Sequence, residues 1–449
     1  MFREFDYDNK PVVDIVNEII EDAINKGASD IHFDPAADSI NIRIRIDGEL
    51  RNYAKVPDSV RKNLATRIKI ISGMNITETR LPQDGAIKQI TKDKPLDLRV
   101  SSLPTIYSEK IVIRILDYSL SLAGLESLGL SANNLEKVKK VIAQPNGIIM
   151  IAGATGSGKS TTVYSMLQLL NTPERNIITV EDPVEMKMPG LNQVQVMSEI
   201  GLDFSTTLRS ILRQDPDVIM IGEIRDDETA RIAVRASITG HLVLSTIHTN
   251  NSLNTIERLL DMEVERYLLG SALTGVISQR LVKRLCPKCR RSRPTTSYEK
   301  NLFKKVLHQD VESIYEPCGC DNCFNGYKSR AAVHEVLIIN QDIRDAITNN
   351  LRKDELRKLV YEKAGTESLL IDGLKKVLAG TTSMDEVIRV ISIEDDFGDD
   401  DEEVKKAFIG SDLQSQTNTE QSTTAVSQMP SIQAPNIPLS IDIQSIESL

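Results

Sequence analysis

Tryptophan is absent from this 449-residue chain, and only 4% of its residues are aromatic. No apolar stretch reaches the length of about 18 residues that a membrane-spanning helix needs. The opening Met1-Phe2-Arg3-Glu4-Phe5-Asp6 lacks the charged-then-apolar form of a secretion signal. An excess of base is lacking too. The net charge is −10, and Glu394 to Glu403 holds eight acids and no base, which leaves the rest near −2. A body so close to neutral is a poor non-specific nucleic-acid binder, which needs many Lys and Arg on one surface. Cysteine is missing everywhere except between 286 and 323. These absences predict a cytoplasmic chain whose membrane contact is peripheral, with no direct nucleic-acid partner. The length suggests roughly two or three domains, each with its own core.

The first apolar pattern is helical. Val12, Val13, Ile15, Val16, Ile19, Ile20, Ala23 and Ile24 end at Gly27, a C-terminal cap. The period then changes to two: Ile40, Ile42, Ile44 and Ile46 alternate with polar residues and meet Asp47-Gly48, a hairpin signal. Short strands around 98–103 and 111–116 complete a small α+β domain over residues 1–116, and 117–132 reads as a linker. A helix is expected near 134–142. From 146 onward, apolar strands at 148–152, 177–180, 218–221 and 242–246 alternate with helices, as in a parallel sheet covered on both faces. The α/β domain is expected over 133–280, a cysteine-bearing subdomain over 281–335 and a helical region over 336–392, with helices near 340–347, 354–364 and 383–390. The remainder, 393–449, is acidic and then rich in Ser, Thr, Gln and Pro, a composition expected to be disordered.

After the strand 148–152 comes Gly153-Ala154-Thr155-Gly156-Ser157-Gly158-Lys159-Ser160, and Thr161 opens a helix-like stretch to Leu170. This is a phosphate-binding loop in its proper context. Its glycines let backbone N–H groups converge on a polyphosphate, Lys159 neutralises the outer phosphates, and the Ser160 hydroxyl ligates magnesium, all at a helix N-terminus. The strand 218–221 ends in Gly222-Glu223, so Glu223 is the candidate general base or water-positioning group. A second acidic turn, Glu181-Asp182-Pro183-Val184-Glu185, follows the strand 177–180, and Glu181 is its candidate assistant. His241 and His248 bracket the strand 242–246, about 20 Å apart at strand rise. His248, at the carboxyl end, is the expected γ-phosphate sensor. Arg209, Arg213 and Arg225 flank the Glu223 strand and would stabilise charge on a transferring phosphoryl group, or equally form surface ion pairs.

The ordered set Gly153 to Ser160, Ile178 to Glu185, Leu208 to Asp217, Gly222 to Asp226 and Thr239 to Asn250 resembles the Walker A, Asp box, Walker B and His box of the secretion ATPases of type II secretion and type IV pilus assembly, the GspE/PilB family. Ala28-Ser29-Asp30-Ile31-His32 and Arg80-Leu81-Pro82-Gln83-Asp84-Gly85 extend the resemblance over about residues 12–390. It implies a RecA-like P-loop NTPase domain and a smaller PAS-like N-terminal domain in a ring, expected to be a homo-hexamer, with ATP between the two domains. It also implies docking on an inner-membrane platform protein at the cytoplasmic face. Arg99 and Arg114 match arginines that approach the phosphates in that family and would serve as arginine fingers. The separate docking domain of many relatives is expected to be missing here, because the match begins near residue 12.

Cys286-Pro287-Lys288-Cys289 and Cys320-Asp321-Asn322-Cys323 form two C-x-x-C knuckles, which in a cytoplasmic chain read as a four-thiolate zinc site, with a redox pair as the alternative. Cys318 has the less favourable spacing to Cys323. Four thiolates close the coordination shell, so the metal would be structural. The resembled assembly ATPases carry such an insert and the related retraction ATPases lack it. Asn325-Gly326-Tyr327-Lys328-Ser329-Arg330 resembles that family's Gly-Tyr-x-Gly-Arg, with Ser329 in place of the glycine. The expected activity is magnesium-dependent ATP hydrolysis that drives assembly of a pilus, a pseudopilus or a DNA-uptake filament. A retraction motor and a non-catalytic nucleotide-binding scaffold are the alternatives.

Overall fold

The computed structural model describes residues 3, 5, 10–91, 94–116 and 123–391. The acidic run and the Ser/Thr/Gln/Pro-rich stretch expected to be disordered lie outside them, as does part of the expected linker.

The first layer pair holds α1 (Val12–Asn25), β1 (Ala28–Pro35), β2 (Ser39–Ile46), β3 (Glu49–Pro57), α2 (Arg61–Ser72), β4 (Gln83–Thr91), β5 (Lys94–Pro104) and β6 (Glu109–Leu116). The six strands form one antiparallel sheet in the order β3-β2-β1-β6-β5-β4. Ile40, Ile42 and Ile44 of β2 alternate inward and pack with Ile15, Ile19 and Ile20 of α1 and Leu64 and Ile68 of α2 in one core. Asp47 and Gly48 both take positive φ, 53° and 90°, the two-residue turn that matches the twist of a hairpin. Removing this apolar stripe from water is what holds the domain together.

The second body runs through α3 (Ala132–Ile142), β7 (Gly147–Ala152), α4 (Lys159–Leu170), β8 (Ile177–Glu181), β9 (Asn192–Gln195), α5 (Phe204–Ile211), β10 (Val218–Ile221), α6 (Asp227–Ile238), β11 (Leu242–Ile247), α7 (Ser252–Asp261), α8 (Arg266–Ala272) and β12 (Leu273–Leu285). It continues through β13 (Arg291–Pro294), α9 (Ser297–Leu307), β14 (Ser313–Glu316), β15 (Tyr327–Ile338), α10 (Gln341–Thr348), α11 (Lys353–Lys358), α12 (Leu369–Leu378) and α13 (Met384–Val390). Its seven-stranded sheet has the order β15-β12-β7-β11-β10-β8-β9, parallel throughout except for β15. Every residue of β7, β8, β10 and β11 is buried, because helices cover both faces. The four strands expected from apolar runs are these four.

β12 and β15 both belong to the main sheet and cross the expected boundaries at 280 and 335, so the cysteines sit on an excursion between two sheet strands. The helix expected at 354–364 is α11 followed by a π-turn, Leu359–Lys363. Sequence reading missed α12. Its helical pattern is interrupted by Gly373, which lets Val387 and Ile391 approach where a Cβ would stand 3.0–3.1 Å from their side chains.

Among the described residues, polar and ring contacts join the N-terminal sheet to the second body at two places. Arg99 Nη2 of β5 donates to Val184 O at 2.6 Å and lies 3.2 Å from Glu185 Oε2. At the β2–β3 hairpin, Ser329 N–H donates to Asp47 Oδ2 at 3.1 Å, Lys283 pairs with Glu49, and the Arg51 guanidinium stacks 3.6 Å above the Phe324 ring.

Candidate active site and metal centre

β7, β10 and β11 end at one edge of the parallel sheet, the edge where ligands of such sheets bind. From β7 the chain turns into the loop 153–158 and enters α4 through Gly158, whose φ of 91° is a left-handed conformation that only glycine takes cheaply. Gly153 has a different constraint: a Cβ there would stand 2.4 Å from Ser157 Oγ and 2.7 Å from Gln279 O. Lys159, on the first turn of α4, is 8% exposed and folds its ammonium back onto Gly153 O (2.8 Å) and Ala154 O (3.2 Å). Burial pushes it down to about 8, against the pull of the Glu223 charge. The loop thus holds a partly desolvated cation whose natural partner is an anion. Ser157 Oγ is buried with no protein partner, while Ser160 at the helix start is exposed.

Glu223 follows β10. Burial raises its carboxyl, but the hydrogen bond from Arg225, its charge and those of His248 and Lys159 hold it below the usual range. It is therefore ionised at neutral pH and able to accept a proton or orient a water. His248 follows β11 with Nε2 3.4 Å from Glu223 Oε2, and burial together with Lys159 lowers its basicity. The strand tips are fastened to each other by Thr246 Oγ1, which donates to Gly222 O at 2.7 Å. The structure therefore brings Lys159, Glu223, Arg225 and His248 together.

Five expected residues have other settings. Glu181 is 3% exposed and accepts hydrogen bonds from Tyr164 of α4, Thr179 Oγ1 (2.6 Å) and Gln193 Nε2 (3.1 Å). Protein donors surround this carboxylate, so as placed it ties α4, β8 and β9 together rather than facing a water. Arg209 pairs with Glu228 of α6, and Arg213, just past the end of α5, folds back onto Arg209 O (2.7 Å) and Ser210 Oγ (3.2 Å) of that helix. A helix surface, where long cations find acids and carbonyls within reach, satisfies both. Arg99 touches the acidic turn as described above. Arg114, its cross-strand neighbour, bonds to Asp30 Oδ1 at 3.1 Å with two thirds of its side chain exposed.

Sequence reading missed Gln279 of β12. It is 2% exposed, donates from Nε2 to Ser157 O at 2.8 Å and accepts from Thr162 Oγ1 at 2.8 Å. Its neighbour Arg280 donates to Asn250 Oδ1 at 2.8 Å. An amide side chain midway along a strand, set between the apolar pairs Val276-Ile277 and Leu281-Val282, was the available signal.

Cys286, Cys289, Cys320 and Cys323 converge with all four Sγ atoms within 4.8 Å of one another. The separations Cys286–Cys320 (4.0 Å), Cys289–Cys323 (3.6 Å) and Cys320–Cys323 (3.6 Å) are far longer than a disulfide. They match the spacing of about 3.8 Å between sulfurs at the corners of a tetrahedron with metal–sulfur bonds of about 2.3 Å. Backbone N–H groups of Gly319 and Cys320 point at Cys289 Sγ and Cys323 Sγ, both at 3.3 Å, which favours thiolates. The donor set fits a closed four-thiolate metal site and is compatible with zinc. Cys318 is exposed and outside the cluster.

The family model described as type II/IV secretion system protein matches residues 6–389. Type II secretion system protein E of Aeromonas hydrophila is 43% identical over 85% of this chain and 76% of its own length. The type IV pilus assembly ATPase PilB of Acinetobacter baylyi is 44% identical over 86% of this chain and 67% of its own. Among solved structures, the pilus retraction motor PilT with bound ADP superposes with a TM-score of 0.59 at 27% identity, over 87% of this chain and 98% of that one. The family match spans both bodies, the phosphate loop and the cysteine cluster alike, and the chain belongs to the type II/IV secretion system protein family.

Proposed function

We propose that this chain is an ATPase motor that hydrolyses magnesium ATP to drive assembly of a type II secretion pseudopilus, a type IV pilus or a related filament. The observation that carries the reading is the convergence of buried Lys159, ionised Glu223 and His248 at the edge where β7, β10 and β11 end. Residues 153–161 cradle the polyphosphate, with Lys159 released from the loop carbonyls to the outer phosphates and Ser160 ligating magnesium. Glu223 orients and deprotonates the attacking water. Glu181 acts indirectly, through the acidic turn it anchors. Arg225 and His248 sense the γ-phosphate, and Arg99 and Arg114 complete the site as arginine fingers in a homo-hexamer. Zinc on the four thiolates holds the cysteine excursion. Among the described residues no helix is long and apolar enough to cross a membrane. The motor works at the cytoplasmic face through a polytopic platform protein.

Phosphate release by the purified chain, with Lys159→Ala as control, tests hydrolysis. Glu223→Gln is expected to bind ATP and turn over at least a hundredfold more slowly; turnover at the parent rate removes Glu223 from its role. A retraction motor is the weaker reading, because a cysteine excursion is expected of assembly motors only.

A further inference from the structure

β12 pairs with β7 so that Ser278 lies opposite Ala152, the last residue of β7. The next residue, Gln279, is therefore delivered beside Gly153, where the chain leaves the sheet for the phosphate loop. Its amide joins two parts of the cradle. Nε2 holds a carbonyl inside the loop, Ser157 O, and Oε1 holds a hydroxyl on the first turn of α4, Thr162 Oγ1. The loop closes tightly over this residue: a Cβ on Gly158 would stand 3.1 Å from Gln279 Nε2, and one on Gly153 would stand 2.7 Å from Gln279 O.

The two contacts demand one donor and one acceptor on the same side-chain end at this reach. A carboxylate at the same length would set an oxygen against Ser157 O, and a thioether supplies neither group. A flexible Gly-rich loop must be ordered before its N–H groups can converge on phosphate, and ordering it at the moment of binding costs affinity.

We propose that Gln279 is the positioning residue of the phosphate loop: it holds the cradle in its binding shape before nucleotide arrives. Lys159, Glu223 and His248 do the chemistry, and Gln279 sets how much ordering each binding event requires. The role rests on the nucleotide reading above.

The test measures magnesium ATP affinity with a fluorescent ATP analogue, and steady-state hydrolysis, on the full chain. The variants are Gln279→Ala, Gln279→Glu and the milder Thr162→Val, with Ile277→Val as a packing control on the same strand. The expected dissociation constant rises about tenfold in both Gln279 variants and about threefold in Thr162→Val, from the loss of two and of one buried hydrogen bond. The turnover number at saturating ATP changes less than threefold, and adding Thr162→Val to Gln279→Ala weakens binding no further. Parent-like affinity in folded Gln279 variants overturns the role, as does an affinity loss that follows the melting temperature equally in Ile277→Val. Should Gln279 variants fail to fold, parent-like affinity in Thr162→Val overturns it. A parent chain that binds no magnesium ATP instead overturns the nucleotide reading itself.

Discussion

Ser329 has φ of 69°, a left-handed backbone that costs a residue with a Cβ about 1–2 kcal/mol and glycine almost nothing. The reason lies in β15. Lys283 and Leu285 pair with Arg330 and Tyr327, so β15 carries one extra residue there, and a bulge of this kind favours glycine. Ser329→Gly is expected to stabilise the fold by about 0.5–1 kcal/mol after the greater chain entropy of glycine is counted. Urea unfolding at unchanged m-value measures it. The Asp47 contact survives the change, because it uses the Ser329 backbone N–H. Lys159 supplies a second residue-scale prediction. Its folded pKa, about 8, lies below the unfolded value, so the native nucleotide-free state is the weaker proton binder between about 8 and 10.5. Stability therefore rises with pH across that window and is reduced below it. Phosphate restores the proton, so ATP binding at pH 8 should take up as much as about half a proton. Calorimetry in buffers of different ionisation enthalpy measures this, and no uptake would show that the ammonium is already charged.

At the scale of elements, the legible parts were those in which local pattern and tertiary setting agree. The buried strands β7 and β10 are continuous apolar runs, β8 and β11 are nearly so apart from Thr179, Glu181, Ser245 and Thr246, and the Asp47-Gly48 hairpin has a turn that sequence alone specifies. β1 was not read as a strand: Asp30, His32 and Asp34 alternate with Ile31 and Phe33, but Ala28-Ser29-Asp30-Ile31-His32 entered only as a family motif. The four thiolates were legible because C-x-x-C spacing is itself a geometric statement, whereas which protein donors would enclose Glu181 depends on side chains from three elements. The knuckle containing Cys320 and Cys323 is followed at once by Phe324, on which Arg51 of the N-terminal hairpin stacks. Metal analysis should find one zinc per chain, kept in Cys318→Ser and lost in Cys289→Ser and Cys320→Ser. Removing the metal with a chelator should raise hydrogen exchange over residues 47–51 as well as over 286–290. Zinc retained without Cys289 would assign the site to other ligands.

At the scale of the whole molecule, the described contacts between the N-terminal sheet and the second body lie at two places, one made by the expected finger Arg99 of β5 and one at the β2–β3 hairpin on the other side of β1. Arg99 is engaged on the acidic turn of its own chain, whereas cross-strand Arg114 remains mostly exposed and, among the described residues, is bonded to Asp30. Glu185 and Asp30 each offset one of these two facing charges, and the exposed part of the Arg114 guanidinium leaves it able to take a further anion such as a phosphate from an adjacent subunit. Arg114→Ala should cost no more than about 1 kcal/mol, because buried Asp30 keeps Arg45 and the Ser29 hydroxyl as partners, and should leave nucleotide binding intact while hydrolysis falls at least tenfold. Mixing distinguishes an arginine that acts across the ring from one that acts on its own loop. Lys159→Ala has an intact Arg114 but cannot hold phosphate, and Arg114→Ala has an intact loop. Each should be nearly inactive alone, and a mixture at ring-forming concentration should recover activity, because an intact finger then meets an intact loop at some interfaces. Phosphate release that stays at the sum of the two separate variants would place Arg114 in service of its own chain and end its assignment as a finger acting between subunits.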